Sequence, residues 1–282
     1  IVGQFATDEQ IRAVRGRLGL DDPIHVQYLR WAGGVLRGDL GLSMMMDRPI
    51  GPLIKDAILR SAVLAGFSIV LVAVIGIWLG VYSAVRKGSA ADHAVSLGMY
   101  FFISVPEFFW AIVVILLFAG YLGWFPATGY ASLSEGFWIW LQHIVLPVAT
   151  LVSGLVAHIA RLTRSSMIET LQSQYVTAAR AKGLPENIVI RRHALRNALV
   201  PTITVLAIDI GMLMGGIVVV ETVFSYPGLG RMLIFAIEQK DIPVIQAGIL
   251  TVTAVYAFAN LAADLLYAFF NPRIRYGNAV AR

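Results

Sequence analysis

Apolar residues run through this chain in blocks too long to be one face of a soluble helix. Residues 61–85 hold no Asp, Glu, Lys or Arg, and neither do residues 138–160. Residues 94–119 hold only Glu107, residues 198–220 only Asp209, and residues 246–270 only Asp264. A helix crosses the hydrocarbon of a bilayer in about 20 apolar residues. Inside lipid the backbone must satisfy its own hydrogen bonds, which selects helices. The pattern predicts an all-α, polytopic membrane protein with a transmembrane domain over 61–272 and five spans near those ranges.

The polar segments between the blocks alternate in kind. The turn after the first block carries Arg86 and Lys87, and residues 120–135 carry no Lys or Arg. Residues 161–197 carry Arg161, Arg164, Arg180, Lys182, Arg191, Arg192 and Arg196. Residues 221–241 set Arg231 and Lys240 against Glu221, Glu238 and Asp241, and the tail 273–282 is basic again. Basic loops stay on the cytoplasmic side. The first turn, the loop 161–197 and the tail are therefore expected inside, and residues 1–60 outside.

The external segment is nearly balanced in charge. Thr7 or Asp8 can cap a short helix over 7–18, with Ile11, Val14 and Leu18 at helical spacing and Gly19 as its stop. After Asp22-Pro23, residues Ile24 to Leu36 are again compatible with a helix, and Gly38-Asp39-Leu40-Gly41 reads as a turn. So few large apolar groups cannot build an independent core. The segment is expected to pack on the membrane domain, as a platform for an extracellular partner or as a connector.

Composition narrows the class. The 282 residues are 58% hydrophobic and 14% charged, with a mean hydropathy of +0.75. Soluble domains carry about 25% charged residues. The absence of cysteine excludes disulfides, thiolate metal sites and cysteine nucleophiles. The net charge of +5 is arranged as membrane topology rather than as a nucleic-acid surface.

The loop 161–197 is the candidate working part. Met167, Ile168, Leu171, Tyr175, Ala178, Ala179 and Lys182 recur at three-to-four spacing. Gly183 is suited to the left-handed turn that ends a helix, and Pro185 to the start of the next, over about 186–198. Ala178, Ala179, Ala181 and Gly183 let another surface approach closely. A groove-filling helix is a common mode of partner recognition. A loop held only by anionic lipid heads would account for Arg191, Arg192 and Arg196, but not for the small residues.

Those residues carry a resemblance. Ala178-Ala-Arg-Ala-Lys-Gly-Leu184 and Leu195-Arg-Asn-Ala-Leu-Val-Pro201 resemble the permease signature of ATP-binding cassette importers, in the dipeptide/oligopeptide/nickel group. Leu18-Gly-Leu-Asp-Asp-Pro23, Gln27-Tyr28-Leu29 and Arg37-Gly-Asp-Leu-Gly41 resemble the family's segment after its first helix. Glu221-Thr-Val-Phe-Ser-Tyr-Pro-Gly-Leu-Gly230 resembles its outer loop, and Asn260, Asp264-Leu-Leu-Tyr267 and Asn271-Pro-Arg-Ile-Arg-Tyr-Gly277 its C-terminus. Thr177 stands where the general signature has Glu, and Leu-Val-Pro falls a few residues later than in sugar importers. Both departures are usual in the peptide branch.

The resemblance implies the type I importer permease fold, with six spans in the family and a first helix upstream of Ile1. It implies a bacterial inner-membrane permease that moves di- or oligopeptides. The expected partners are a second homologous permease, ATP-binding subunits that carry ATP and Mg, an extracellular substrate-binding protein and membrane lipid. Tyr175, Thr177, Ala178, Ala179, Arg180, Ala181, Lys182, Gly183 and Leu184 would meet an ATPase subunit. The chain lacks a G-x-x-x-x-G-K-[ST] loop, so it is expected to carry no ATPase activity, no cofactor and no metal.

Glu107, Asp209 and Asp264 cost about 2.5–3.5 kcal/mol each if placed in lipid. Glu107, Asp209, Met212 and Glu221 are the candidate lining of a pathway, and Asp264 the candidate for a structural bond. His143 and His158 read as packed or interfacial histidines. Gly76/Gly80 and Gly211/Gly215 form two G-x-x-x-G pairs for close helix contact. The second pair, with Gly216, suggests a permease–permease seam, and Trp78, Trp110, Trp124, Trp138 and Trp140 suggest interface anchors. A secondary transporter or a channel is the alternative. No internal repeat supports the first, and a channel has no need of a docking loop. No nucleophile–base or metal motif in the spans points to an enzyme.

Overall fold

The computed structural model describes residues 21–270 and, before them, Glu9. The helix expected over 7–18 and the tail 273–282 lie outside the described residues, as do the side chains of Met212 and Asp264. Among the described residues the regular structure is helical, apart from one isolated antiparallel bridge between Leu42 and Pro49.

Helix α1, Ile24–Leu36, starts after Pro23 and buries none of its residues. It does not supply the packing expected of the N-terminal segment. That role falls to the loop after it, described below. Helix α2, Ile50–Val85, begins well before the apolar block, at Pro49. Its first turns carry Lys55, Asp56 and Arg60, so the helix runs past the apolar stretch.

The second block is not one straight helix. α3, Ala90–Ser104, and α4, Glu107–Val114, which continues with π-helical Ile115–Tyr121, meet at an angle of 104°. Pro106 has no N–H to extend α3 and forces Val105 into an extended conformation (φ −100°, ψ 127°). A proline inside a helix ordinarily kinks it. Here it folds the span back instead.

α5, Phe137–Leu171, is the central helix, with Pro147 inside it. Its tightest neighbour is α2. A Cβ on Gly76 would fall 2.8 Å from Ile159 Cγ2, and one on Gly80 2.5 Å from Thr163 Cβ and 2.6 Å from the Ala160 carbonyl. The first G-x-x-x-G pair therefore lets two backbones touch.

The elbow follows: α6, Gln174–Ala181, then a turn at Glu186–Ile188, π-helical Val189–Ala194 and α7, Leu195–Val223. The second helix expected over 186–198 is thus the start of the span itself, not a separate hairpin arm. α8, Leu229–Glu238, and α9, Ile242–Phe270, complete the described chain. α8 lies where only a loop was expected.

The second glycine group is used mostly inside the chain. A Cβ on Gly211 would sit 3.1 Å from Tyr256 on α9, and one on Gly216 2.5 Å from Glu107 Oε2, while Gly215 meets nothing within 4 Å. Only Gly215 keeps the outward face expected of a seam. Trp110 stacks on Phe102 at 4.7 Å and Trp140 lies against Phe67 at 5.7 Å. Both pack within the helices, and Trp78, Trp124 and Trp138 are exposed.

Candidate functional site

The elbow at the arginine-rich end is rooted by two residues. Val176 and Ala179 are buried in a cluster with Ala84, Met167, Val189, Ala194 and Ala198, flanked by Ile168, Leu171, Leu184 and Ile190. They sit three apart on one face of α6, as core positions of a helix must. Tyr175, Thr177, Ala178, Arg180, Ala181, Lys182 and Gly183 are all exposed, and Leu184 is half-buried. Of the expected stripe, Met167 and Ala179 are buried but Tyr175, Ala178 and Lys182 are exposed; Val176, wholly apolar, takes the root position in place of Tyr175, whose hydroxyl is left free to bond Asn197.

The elbow's shape is held by polar bonds. Gly183 has φ +79°, and its N–H donates to the Arg180 carbonyl at 2.9 Å. The Arg180 guanidinium bridges both oxygens of Glu186, at 3.1 and 2.7 Å, across that turn. Asn197 Nδ2 donates to the Tyr175 hydroxyl at 2.9 Å, tying α6 to the start of α7.

Just above the elbow, Arg164 on α5 grips Asp92 on α3 with two bonds, Nε to Oδ1 at 2.7 Å and Nη2 to Oδ2 at 2.8 Å. Ser83 on α2 donates to the same carboxylate, and the Gly88 amide adds a bond of 2.9 Å. A buried carboxylate needs such complete partnering. Counting arginines in loops gave no hint of it, although Asp92 opposite a basic loop is a visible signal.

Among the described side chains, two carboxylates lie within the membrane blocks. Asp209 on α7 is buried and sits 3.1 Å from Nδ1 of His158 on α5, whose side chain is 37% exposed against 4% for Asp209. His158 is therefore not a lone histidine. Glu107, the first residue of α4, rests its carboxylate on Gly216 of α7. Asp209 and the Gly216 that meets Glu107 lie about two turns apart on α7, and among the described residues no hydrogen bond joins the two carboxylates.

Glu221 is a different case. It is 0% exposed. Its Oε2 accepts from the amides of Gly230 at 2.8 Å and Arg231 at 3.2 Å, and Ser61 Oγ donates to Oε1. Ser61 in turn accepts from the Leu229 amide at 2.9 Å. The carboxylate thus satisfies the free N–H groups that open α8, where a negative charge is favoured. Glu221 was expected on a pathway; it is a structural cap, because the α8 start leaves amides that only a buried acceptor can reach. Ser61 and Gly228, its partners, were not singled out in the sequence.

At the same end, the loop after α1 is tied to α9. Asp241, 3% exposed, accepts from Ser43 Oγ and from the amides of Met44 and Met45, each at 3.2 Å. Burial opposes ionisation, but bonds from Ser43, Met44, Met45 and Val244 outweigh it and hold the carboxyl below its ordinary value of 3.8. A depressed folded value means that the tether is complete above the unfolded value and fades as pH falls through the folded one. Hydrogen exchange at the Met44 and Met45 amides is expected to be slow near neutral pH. It accelerates, beyond its intrinsic trend, below about pH 4. Asp241→Asn brings the fast exchange to neutral pH.

With the geometry in hand, comparison with known proteins places the class. Residues 76–276 match the family "Binding-protein-dependent transport system inner membrane component". The chain belongs to that family: it is an inner-membrane permease component of a binding-protein-dependent, ATP-binding cassette import system.

Its relatives sharpen the neighbourhood. It is 37% identical over 276 residues to a probable peptide ABC transporter permease of Sinorhizobium fredii, covering 98% of this chain and 88% of that one. It is 38% identical over 263 residues to the oligopeptide transport system permease AppB of Bacillus subtilis, covering 92% and 83%. It is 39% identical over 279 residues to the glutathione transport system permease GsiC of Salmonella paratyphi A, covering 98% and 88%. The fold is similar to a chain of the MetNI methionine ABC transporter in an inward-facing conformation, with TM-score 0.64, 18% identity and coverage of 78% and 96%.

Proposed function

We propose that the chain forms, with a second homologous permease, the path for di- or oligopeptides handed over by an extracellular substrate-binding protein. The arginine-rich end faces the cytoplasm and residues 1–60 the outside. The ATPase activity, with its ATP and Mg, resides on partner subunits. The exposed face of the elbow, from Tyr175 to Gly183, seats in one of them, and closure of the ATPase pair tilts the spans. Glu107 and Met212 line the path directly; Asp209, expected there too, reaches it through His158.

The observation that carries this reading is the division of labour on α6. Val176 and Ala179 root the helix, and seven of its neighbours stand exposed with small side chains among them. A helix held rigidly but left open on its small-residue face is a docking element. The peptide cargo is supported by the three relatives, whose names specify peptides, oligopeptides and glutathione.

The test is uptake into proteoliposomes holding the whole complex. ATP-driven uptake of a receptor-bound peptide, abolished when the ATPase subunits are inactivated, is the expected result. Uptake that persists without ATP and follows an ion gradient would instead make the chain a secondary transporter.

A further inference from the structure

One stripe on α5 keeps an open side. Gly154, His158, Arg161 and Ser165 fall at helical spacing on one face. The opposite face, with Ile159 and Thr163, is pressed against Gly76 and Gly80 of α2. A Cβ on Gly154 would meet nothing within 4 Å. Arg161 and Ser165 are exposed, and among the described residues no carboxylate or hydrogen bond engages Arg161. His158 is held from behind: its Nδ1 faces Asp209 at 3.1 Å, and 37% of its side chain remains open.

His158 lies within the apolar block 138–160, where a polar group is too costly to face lipid, and Arg161 opens the basic segment just beyond it. The stripe must look onto water or onto a polar cargo. The ring geometry then decides what His158 offers. With an ionised carboxylate behind it, Nδ1 carries the hydrogen and donates to Asp209. In the neutral ring Nε2 is then the open atom and a hydrogen-bond acceptor. Arg161 offers a planar, permanently charged fork that suits a carboxylate.

We infer that His158 and Arg161 form a binding step for the C-terminal end of a passing peptide. Arg161 takes the terminal carboxylate, and His158 Nε2 accepts from the N–H of the last peptide bond. Side chains three apart on a helix are separated by about 5–6 Å at Cβ, a span that matches the short distance between those two groups of a peptide. Asp209 is the positioning residue: it touches no cargo and fixes the ring. This inference rests on the peptide-importer reading and names the cargo groups that the path recognises.

The test uses the whole complex in proteoliposomes and three versions of one peptide: the free acid, its C-terminal amide, and the acid with its last peptide nitrogen methylated. Uptake is compared at receptor occupancies matched by direct binding. The unaltered complex is expected to move the free acid about tenfold faster than the amide, the scale of one charge-assisted contact, and several-fold faster than the methylated acid. Arg161→Gln removes the first difference and keeps the second. His158→Asn, which retains a donor toward Asp209, removes the second and keeps the first. His158→Phe combined with Asp209→Leu, which leaves no buried carboxylate orphaned, does the same. Intact assembly of each variant is checked by gel filtration.

Two results would overturn the inference while peptide transport stands. One is that Arg161→Gln slows acid and amide equally, as it would if Arg161 held a lipid phosphate. The other is that the variants, correctly assembled, leave both ratios unchanged. If the unaltered complex shows no ATP-driven peptide uptake, the functional reading falls first and this one with it.

Discussion

Gly183→Trp is expected to reduce ATP-driven uptake at least ~30-fold, more than backbone strain alone, while the chain still inserts into the membrane. Two effects combine at this position. The backbone sits at φ +79°, where an L residue costs roughly 1–2 kcal/mol and Asn or Gly much less. A Cβ there meets nothing within 4 Å inside the chain, so bulk matters only if something docks from outside. A graded series separates the two. Gly183→Asn is expected to stay near the wild type and Gly183→Ala to fall about 5–30-fold by strain alone. Gly183→Trp falls furthest, because its ring occupies the docking face. Co-purification of the ATPase subunit should follow the same order. If Trp performed as well as Asn in both assays, no partner would press on this face.

Removing the carboxylate at Glu221 should be the most damaging single truncation for stability. Glu221→Ala leaves the amides of Gly230 and Arg231 and the Ser61 hydroxyl without their acceptor in a site of 0% exposure. Each orphaned buried group costs about 1–3 kcal/mol, so the expected loss is roughly 3 kcal/mol or more. In detergent the unfolding midpoint should fall by roughly 5–10 °C. Glu221→Gln keeps an acceptor for the two amides and should lose much less. Gly228→Ala should resemble Glu221→Ala, since its Cβ would fall 1.9 Å from Glu221 Oε1. If Glu221→Ala left the midpoint unchanged but altered uptake, Glu221 would be a pathway residue after all.

These two positions differ in how much of their role a reader of the chain could see. Gly183 follows a helix-compatible run and precedes Leu184-Pro185, so its left-handed turn was legible from local chemistry. Glu221 was visible only as an acid beside a membrane block. Its function depends on α8, a helix hidden in an apparent loop, and on Ser61, 160 residues away along the chain. The same holds for Asp209. Its cost in lipid was plain, yet its partner His158 comes from another helix, 51 residues distant. Arg164 illustrates the reverse error: counted as topology, it is the partner of Asp92. Pro106 marks a break in the second block that the chain shows locally, but the 104° turn depends on what each half packs against.

Local chemistry alone was enough to determine the five apolar blocks, the helical class, the basic loop and the glycine that shapes its elbow. Each of these follows from the energetics of a few neighbouring residues against water or lipid. Tertiary structure alone decided which face of α6 is rooted, which acid caps a helix and which holds a histidine, and where a span folds back. Those outcomes depend on distances between helices, and a one-dimensional pattern carries no information about which distant backbone will supply the partner.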